Sequence, residues 1–346
     1  MASISRLSGI AKMTLLAAGI AVTVCAAAGC GPTYPKERFK ESIVDVCKKD
    51  YGLDVKADVS GKTIAIYLAL PNLIDFTFSI TKEAGDKIND VILSVSRVAL
   101  SSDADFDFYC VIAHDTRIPE VQIIIIKSVN DVKRFLLNDI SRGEYAKRML
   151  IDMRFSPQAQ KERAIKDVFD KMSLDSKWQE QVMDDFFRSE PAGLGDIGYW
   201  NDRFYIKDIA LPEFLVEQIA SRVKLEFRDD KRLADLFLVK SSKGSFLTSG
   251  GERVFKIEAY VDNKVVISYG AKTSVEAGGL QTMVGSDEVF KAVLKVANEV
   301  IHGYRFNGFD HVEIVNQKDS SVLKVPREKL EQYRLKKLKF EDLIKV

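Results

Sequence analysis

Residues 56–67, KADVSGKTIAIY, read as two short strands around a Ser60-Gly61 turn, with β-branched and aromatic side chains alternating on either side. The same pattern returns at 258–269 as EAYVDNKVVISY, which places Asp262-Asn263 at the turn, Lys264 opposite Lys62 and Tyr269 opposite Tyr67, an offset of 202. One hairpin proves little. A hairpin met twice, 200 residues apart, asks whether its neighbours repeat too.

They do. ILSVSRVAL (92–100) matches VLKVANEVI (293–301) at an offset of 201, both with apolar residues three or four apart, the spacing of a helix face. FDFYCVIAHD from Phe106 and FDHVEIVNQK from Phe309 follow at 203. Upstream of each hairpin is a helix with proline near its first turn, where no amide donor is lost. One starts near Pro35 and carries Phe39, Ile43 and Cys47; the other starts near Pro212 and carries Leu215, Ile219 and Val223. That offset is only 177, and LADLFLVK (233–240) reads as an additional strand of the second copy, followed by a loop, SSKGSFLTSGG (241–251). Each half closes with a returning strand (VQIIIIK, 121–127; SSVLKV, 320–325) and a further helix. The order helix, two strands, helix, two strands, helix implies an α+β fold. Two related domains are expected, each a small, mainly antiparallel sheet with helices on one face.

The expected divisions are domain 1 at 37–140, a helical connector and linker at 141–203, and domain 2 at 204–346. The connector reads as helices through AQKERAIKDVFDKM and SKWQEQVMDDFF, then as a Gly/Pro linker, EPAGLGDIG (190–198).

The first thirty residues are of another kind. Arg6 and Lys12 precede an uncharged apolar run from Met13 to Ala28, the order of a secretory signal. Sixteen helical residues at about 1.5 Å each reach ~24 Å, short of the ~30 Å hydrocarbon core, so a spanning anchor is the weaker reading. The run ends in AAAGCG (26–31), with Cys30 directly after Ala28 and Gly29. Here the sequence resembles a bacterial lipoprotein signal, although Ala27 stands where that family most often has leucine. The resemblance implies cleavage after Gly29, a thioether-linked diacylglycerol on Cys30 and acylation of the new amino terminus. It also implies attachment to a membrane of the cell envelope, with residues 30–36 as a lipidated tether. Gly31, rather than aspartate, after the cysteine fits export to an outer membrane, facing the periplasm, in a host that has one.

Removing residues 1–29 leaves 49 basic against 50 acidic side chains, so the mature chain offers no global field for nucleic acid. About 317 residues with 20 Phe suffice for two packed cores. Cys47 and Cys110 are the remaining cysteines. Each falls on the inward face of its helix or strand, and a disulfide and two buried core thiols both fit.

Chemistry is harder to find. The three histidines, His114, His302 and His311, lack metal-ligand spacing, and the position matching His114 in the second copy is Gln317. There is no GxSxG elbow, and GSFLTSGGER (244–253) lacks the GK[ST] of a phosphate loop. AGGLQTMVGS (277–286) reads as a long connection, and Asp103, Asp105 and Asp107 as a solvated strand edge. No metal or cofactor is called for. The candidate ligand or partner patch is aromatic: Tyr199, Trp200, Phe204 and Tyr205 in GYWNDRFY (198–205), rings that would stack on a sugar or a partner's apolar anchor, or pack the linker down. The basic, leucine-bearing end RLKKLKFEDLIKV (334–346) reads as domain packing rather than a membrane-surface helix. The leading expectation is a non-catalytic envelope lipoprotein that binds or scaffolds envelope proteins or a cell-wall component. The alternatives are an envelope hydrolase whose acids converge only in three dimensions, and a subunit of a secretion or assembly complex.

Overall fold

The computed structural model describes residues 33–75, 79–155, 194, 197–264 and 286–344. Arg6, Lys12 and Cys30, most of AGGLQTMVGS, and the two connector helices read in 159–172 and 176–187 lie outside the described residues.

The fold is α+β with two domains. In the first, a 3-10 turn at Lys36–Arg38 leads into α1 (Phe39–Tyr51), then β1 (Val55–Ser60), β2 (Thr63–Leu70), α2 (Lys82–Leu100), β3 (Phe108–Asp115), β4 (Val121–Ser128), α3 (Val129–Leu136), α4 (Arg142–Lys147) and β5 (Leu150–Phe155). A small hairpin, β6 (Gly198–Trp200) and β7 (Arg203–Tyr205), leads to the second domain. That domain comprises α5 (Leu211–Asp229), α6 (Lys231–Leu236), β8 (Phe237–Ser249), β9 (Glu252–Asn263), α7 (Ser286–Gly303), β10 (His311–Asn316), β11 (Ser321–Pro326) and α8 (Arg327–Arg334).

Local chemistry sets the boundaries. Gly52 ends α1 in the left-handed region (φ 68°), and its N–H donates to the Lys48 carbonyl while Leu53 reaches that of Cys47. Thr81 caps α2 by accepting from the Ala84 amide, and Asp230 caps α6 by accepting from Leu233. Sheet 1 has the order β1-β2-β3-β4-β5, and sheet 2 the order β8-β9-β10-β11. In each, two antiparallel hairpins meet through one parallel pair, β2 with β3 and β9 with β10, joined over the crossover helices α2 and α7. Among the described residues no helix is long and apolar enough to cross a membrane.

The repeated order is present, but the second hairpin sits elsewhere. Thr63 lies opposite Phe108 and Val254 opposite His311, so the equivalent strand β9 is displaced by 191 residues and not 202. The turn is Gly250-Gly251, with φ of 61° and 85°, conformations that glycine adopts without strain. Asp262 and Asn263 are the last residues of β9, and 265–269, most of the second strand of the expected hairpin, lie outside the described residues. LADLFLVK is therefore α6 and the start of β8, not an extra strand, and SSKGSFLTSGG is mostly strand rather than loop. Its glycine is needed for packing. A Cβ on Gly244 would fall 2.4 Å from the Val216 carbonyl oxygen, so α5 presses on β8 at a point where only glycine fits.

The stretch 141–203 is also not uniformly helical. LIDMRF forms β5, the fifth strand of sheet 1, because the free edge of β4 offers a ladder of backbone partners and Leu150 and Phe155 are buried there.

Two cores result. α1 and α2 cover one face of sheet 1 through Ile43, Val91, Ile64, Ile66 and Val111. The other core joins the second face of sheet 1 (Phe108, Ile112, Ile124) to α5, α7 and the inner face of sheet 2 (Phe255, Ile257, Ile314). Seven consecutive residues of α5, Phe214–Ala220, are buried, because the helix is covered on opposite sides. Each sheet carries its own helices on one face, and sheet 1 also receives those of the second domain on its other face. The opposite face of sheet 2 has no such cover among the described residues. Lys256, Glu258 and Asp262 stand there, with Lys256 paired to Glu258 and Asp262 to Lys240 and Lys318.

Candidate functional site

The aromatic cluster occupies β6 and β7, joined by a two-residue turn in which Asn201 and Asp202 both take positive φ. The hairpin lies against sheet 1. Gln122, fully buried on β4, accepts from the Tyr199 amide at 3.0 Å and donates to the Tyr199 carbonyl, so one side chain fixes both polar groups of that residue. The Tyr199 ring stacks on Tyr67 (4.0 Å between centroids) and takes Phe204 edge-on at 4.8 Å. Lys56 donates to the Tyr199 hydroxyl at 2.5 Å and to Asp202 at 3.2 Å, and these bonds raise the lysine pKa. Tyr199 is buried, Trp200 and Phe204 are half-buried, and only Tyr205 is exposed. The four rings therefore do not form one open stacking surface. Tyr199, backed by Phe204, packs the connector onto the first domain at Tyr67.

Cys47 and Cys110 are free thiols and form no disulfide. The reason is the pleat of sheet 1. Cys47 lies in the core under α1, whereas Cys110 points with Phe108 and Ile112 into the core on the opposite face of the sheet. Burial pushes the Cys110 thiol up to about 12 and raises that of Cys47, which keeps both protonated.

His114 stands opposite Gln122 in the sheet, its ring 5.9 Å from that of Tyr67. Burial lowers its pKa, and Nδ1 has no hydrogen-bond partner among the described residues. Its neighbour Asp115 is fully buried and committed elsewhere. It accepts from the amides of Leu73 (2.9 Å) and Arg117 (2.8 Å), tying the loop after β2 to the end of β3. His302 is exposed at the end of α7, and His311 is buried, with burial first and Lys324 second lowering its pKa. Asp105 and Asp107 pair with Lys62 at 2.7 and 3.7 Å, and Asp103 accepts from the Lys36 amide at 2.8 Å, so these acids serve the edge of the first domain. Among the described residues no group of three or more His, Cys, Asp or Glu is placed to hold a metal ion. A cleft of about 430 Å³ opens where the chain enters the first domain, lined by Tyr34, Arg38, Ser42, Lys49 and Arg97, with Arg97 bound to Asp50 at 2.7 Å. At the other end, Phe340 and Leu343 are buried in the second core, so this part of the basic C-terminal segment packs onto its domain.

The most concentrated polar chemistry was not visible in the sequence. It joins the two domains. Arg148, just after α4, donates to Asp131 at 2.9 Å, to Glu144 at 2.8 Å and to the Gly303 carbonyl at 3.2 Å. Tyr304 donates its hydroxyl to Asp131. Gln218 of α5 donates to the Arg148 carbonyl and to the Tyr304 hydroxyl. Burial and the adjacent Asp131 push the Tyr304 hydroxyl well above its ordinary pKa, so it stays a donor. No spacing rule links residues 131, 148, 218 and 304, and only the assembled fold brings them together.

Beside this cluster Lys127 is buried, its Nζ 3.3 Å above the Tyr145 ring. Burial lowers its pKa from 10.5 to about 8, against the opposing pull of Asp131. Between those values the unfolded chain holds the proton that the folded chain has released, so this lysine makes stability rise as pH increases from about 8 towards 10.5. Thermal unfolding of Lys127→Met at successive pH values is expected to show a flatter profile than wild type across that window. Identical profiles would contradict it.

No family model, curated protein or solved structure matches this chain.

Proposed function

We propose that this chain is a lipid-anchored protein of the bacterial cell envelope whose two stacked domains form a binding or scaffolding body rather than a catalyst. The observation that carries the reading is the distance between the lipidation signal and the fold. Tyr34 already pairs with Ser102, its amide 3.3 Å from the Ser101 carbonyl, so the folded body reaches to within four residues of Cys30. Four residues span at most ~14 Å, and an acylated Cys30 would hold the first domain against the membrane surface. Two or three acyl chains would make such attachment effectively permanent. The non-catalytic part is supported by how the ionisable groups are used. Asp115 fastens a loop, Asp131 and Arg148 fasten the domains, and His114 lies against Tyr67 with its acid neighbour already engaged.

Metabolic labelling with a fatty acid tests the anchor. Wild type should incorporate label and Cys30→Ala should not; equal incorporation would refute the assignment. The scaffolding part is tested by affinity capture from detergent-solubilised envelope, with identification of co-purifying proteins by mass spectrometry. Partners recovered with wild type and lost with an open-face variant, Lys256→Glu, are expected, whereas a chain that reproducibly emerges alone would remove the basis for a scaffold.

A further inference from the structure

Among the described residues the two large sheets have four edge strands, β1, β5, β8 and β11, and three of them are protected. β1, β5 and β11 are six residues each. β1 carries Lys56 and Asp58, and its turn is held by Asp208, which accepts from the Lys62 amide at 2.8 Å. β5 carries Asp152 and Arg154, and β11 carries Lys324 and ends in Pro326. Short length, charge and proline are the usual means of stopping an edge from pairing with another chain.

β8 has little of this over most of its length. It is thirteen residues long, and among the described residues β9 is its sole strand partner. A bulge between Val239 and Ser241 disturbs its start. Beyond it, Ser241–Ser249 contains no proline, no acid and one charge, Lys243. α5 and α6 are the helices that pack on β8, and α5 presses on one face at Gly244, not on the edge. Leu247 is 44% exposed beside the half-buried Phe246. Among the described residues no strand lies along the outward side of this run.

We infer that the β8 edge takes the β8 edge of a second copy of this chain, in antiparallel register, to give a continuous eight-stranded sheet across a two-fold axis. A two-fold axis perpendicular to the sheet pairs each residue with one on the same face, so the open-face positions 241, 243, 245, 247 and 249 meet one another. With the axis at Ser245, the middle of the run, Lys243 lies opposite Leu247 and Ser241 opposite Ser249. Lysine meets lysine only when the axis passes through Lys243 itself, so self-pairing carries almost no charge penalty. β1, the equivalent edge of the first domain, is six residues long and carries Lys56 and Asp58, so the repeat supplies one such strand per chain.

The test uses the full-length chain in its native membrane. Ser245→Cys under mild oxidation should give a disulfide-linked species of twice the monomer mass on a non-reducing gel. Lys324→Cys on the distant β11 edge should give at least about tenfold less. Cys47 and Cys110 are buried, and wild type run in parallel reports any contribution from Cys30. Ser245→Glu places two carboxylates face to face and should raise the dimer dissociation constant at least about tenfold in sedimentation velocity of the detergent-solubilised chain. The proposal is overturned if Ser245→Cys cross-links no better than Lys324→Cys, if it links only to a different protein, or if Ser245→Glu associates as wild type does. Should Ser245→Glu fail to fold, the cysteine pair alone decides.

Discussion

Asp131→Ala is expected to destabilise the chain by about 3–5 kcal/mol, the range for removing one partner of a buried ion pair. Asp131 is 1% exposed, and it receives Arg148 Nη1 from its own domain and the Tyr304 hydroxyl from the other. Truncation leaves a buried guanidinium with less of its charge answered, and a phenol, pushed away from ionisation, without its acceptor. The comparison is Lys48→Ala, which removes an exposed pair with Asp54 at 2.7 Å. Pairs of that kind contribute about 0–1 kcal/mol, screened by salt. Urea unfolding of both variants against wild type gives the measurement. Equal losses would mean that the cluster between the domains contributes no more than a surface contact.

The second large effect concerns packing at the same junction. Phe214 on α5 is fully buried, its ring 4.9 Å from Phe108 of sheet 1 and 6.0 Å from Tyr304 at the end of α7. Phe214→Ala is expected to cost about 3–5 kcal/mol, because the lost burial is joined by a cavity between rigid layers that cannot close. The loss should appear in the unfolding of both domains, since the core that contains Phe214 runs from sheet 1 to sheet 2. Leu93→Ala, on the exposed side of α2, should stay within about 0.5 kcal/mol. A Phe214→Ala chain whose first domain unfolds at the wild-type urea concentration would show that the two domains are energetically independent.

Both predictions concern a junction that local sequence patterns do not mark. The hydrophobic period of α5 identifies a stripe at Leu215, Ile219 and Val223, but burial extends to the polar Glu217 and Gln218, which lie off that stripe. The misplaced hairpin has a similar origin. Serine and glycine in β8 are poor strand formers, so the run looks like a loop. Gly244 is there because the backbone of α5 comes too close for any side chain, a long-range contact that propensity does not encode. The aromatic cluster was legible as a cluster, but whether its rings face water or Tyr67 depends on where the connector returns. The thiols were legible as inward-facing, while their separation by the sheet required knowing which way each core lies.

What the sequence by itself determined is the α+β class, the order helix, two strands, helix, two strands and helix in each half, and an uncharged apolar run set apart at the N-terminus. Part of the layering was also written in it. FYCVIAHD and VQIIIIKS are apolar on both faces, as strands covered on two sides must be, whereas β9 alternates Phe255, Lys256, Ile257, Glu258 and Ala259, as a strand with one open side does. The identity of the cover was decided only by the tertiary structure. α5 fills the second face of sheet 1, and Asp131, Arg148, Gln218 and Tyr304 close the junction. Periodicity reports how many faces of an element leave water, because it records side-chain polarity along one strand or helix. It carries no information on which distant element fills the space, since that choice is made by shape and hydrogen-bond geometry between residues far apart in the chain.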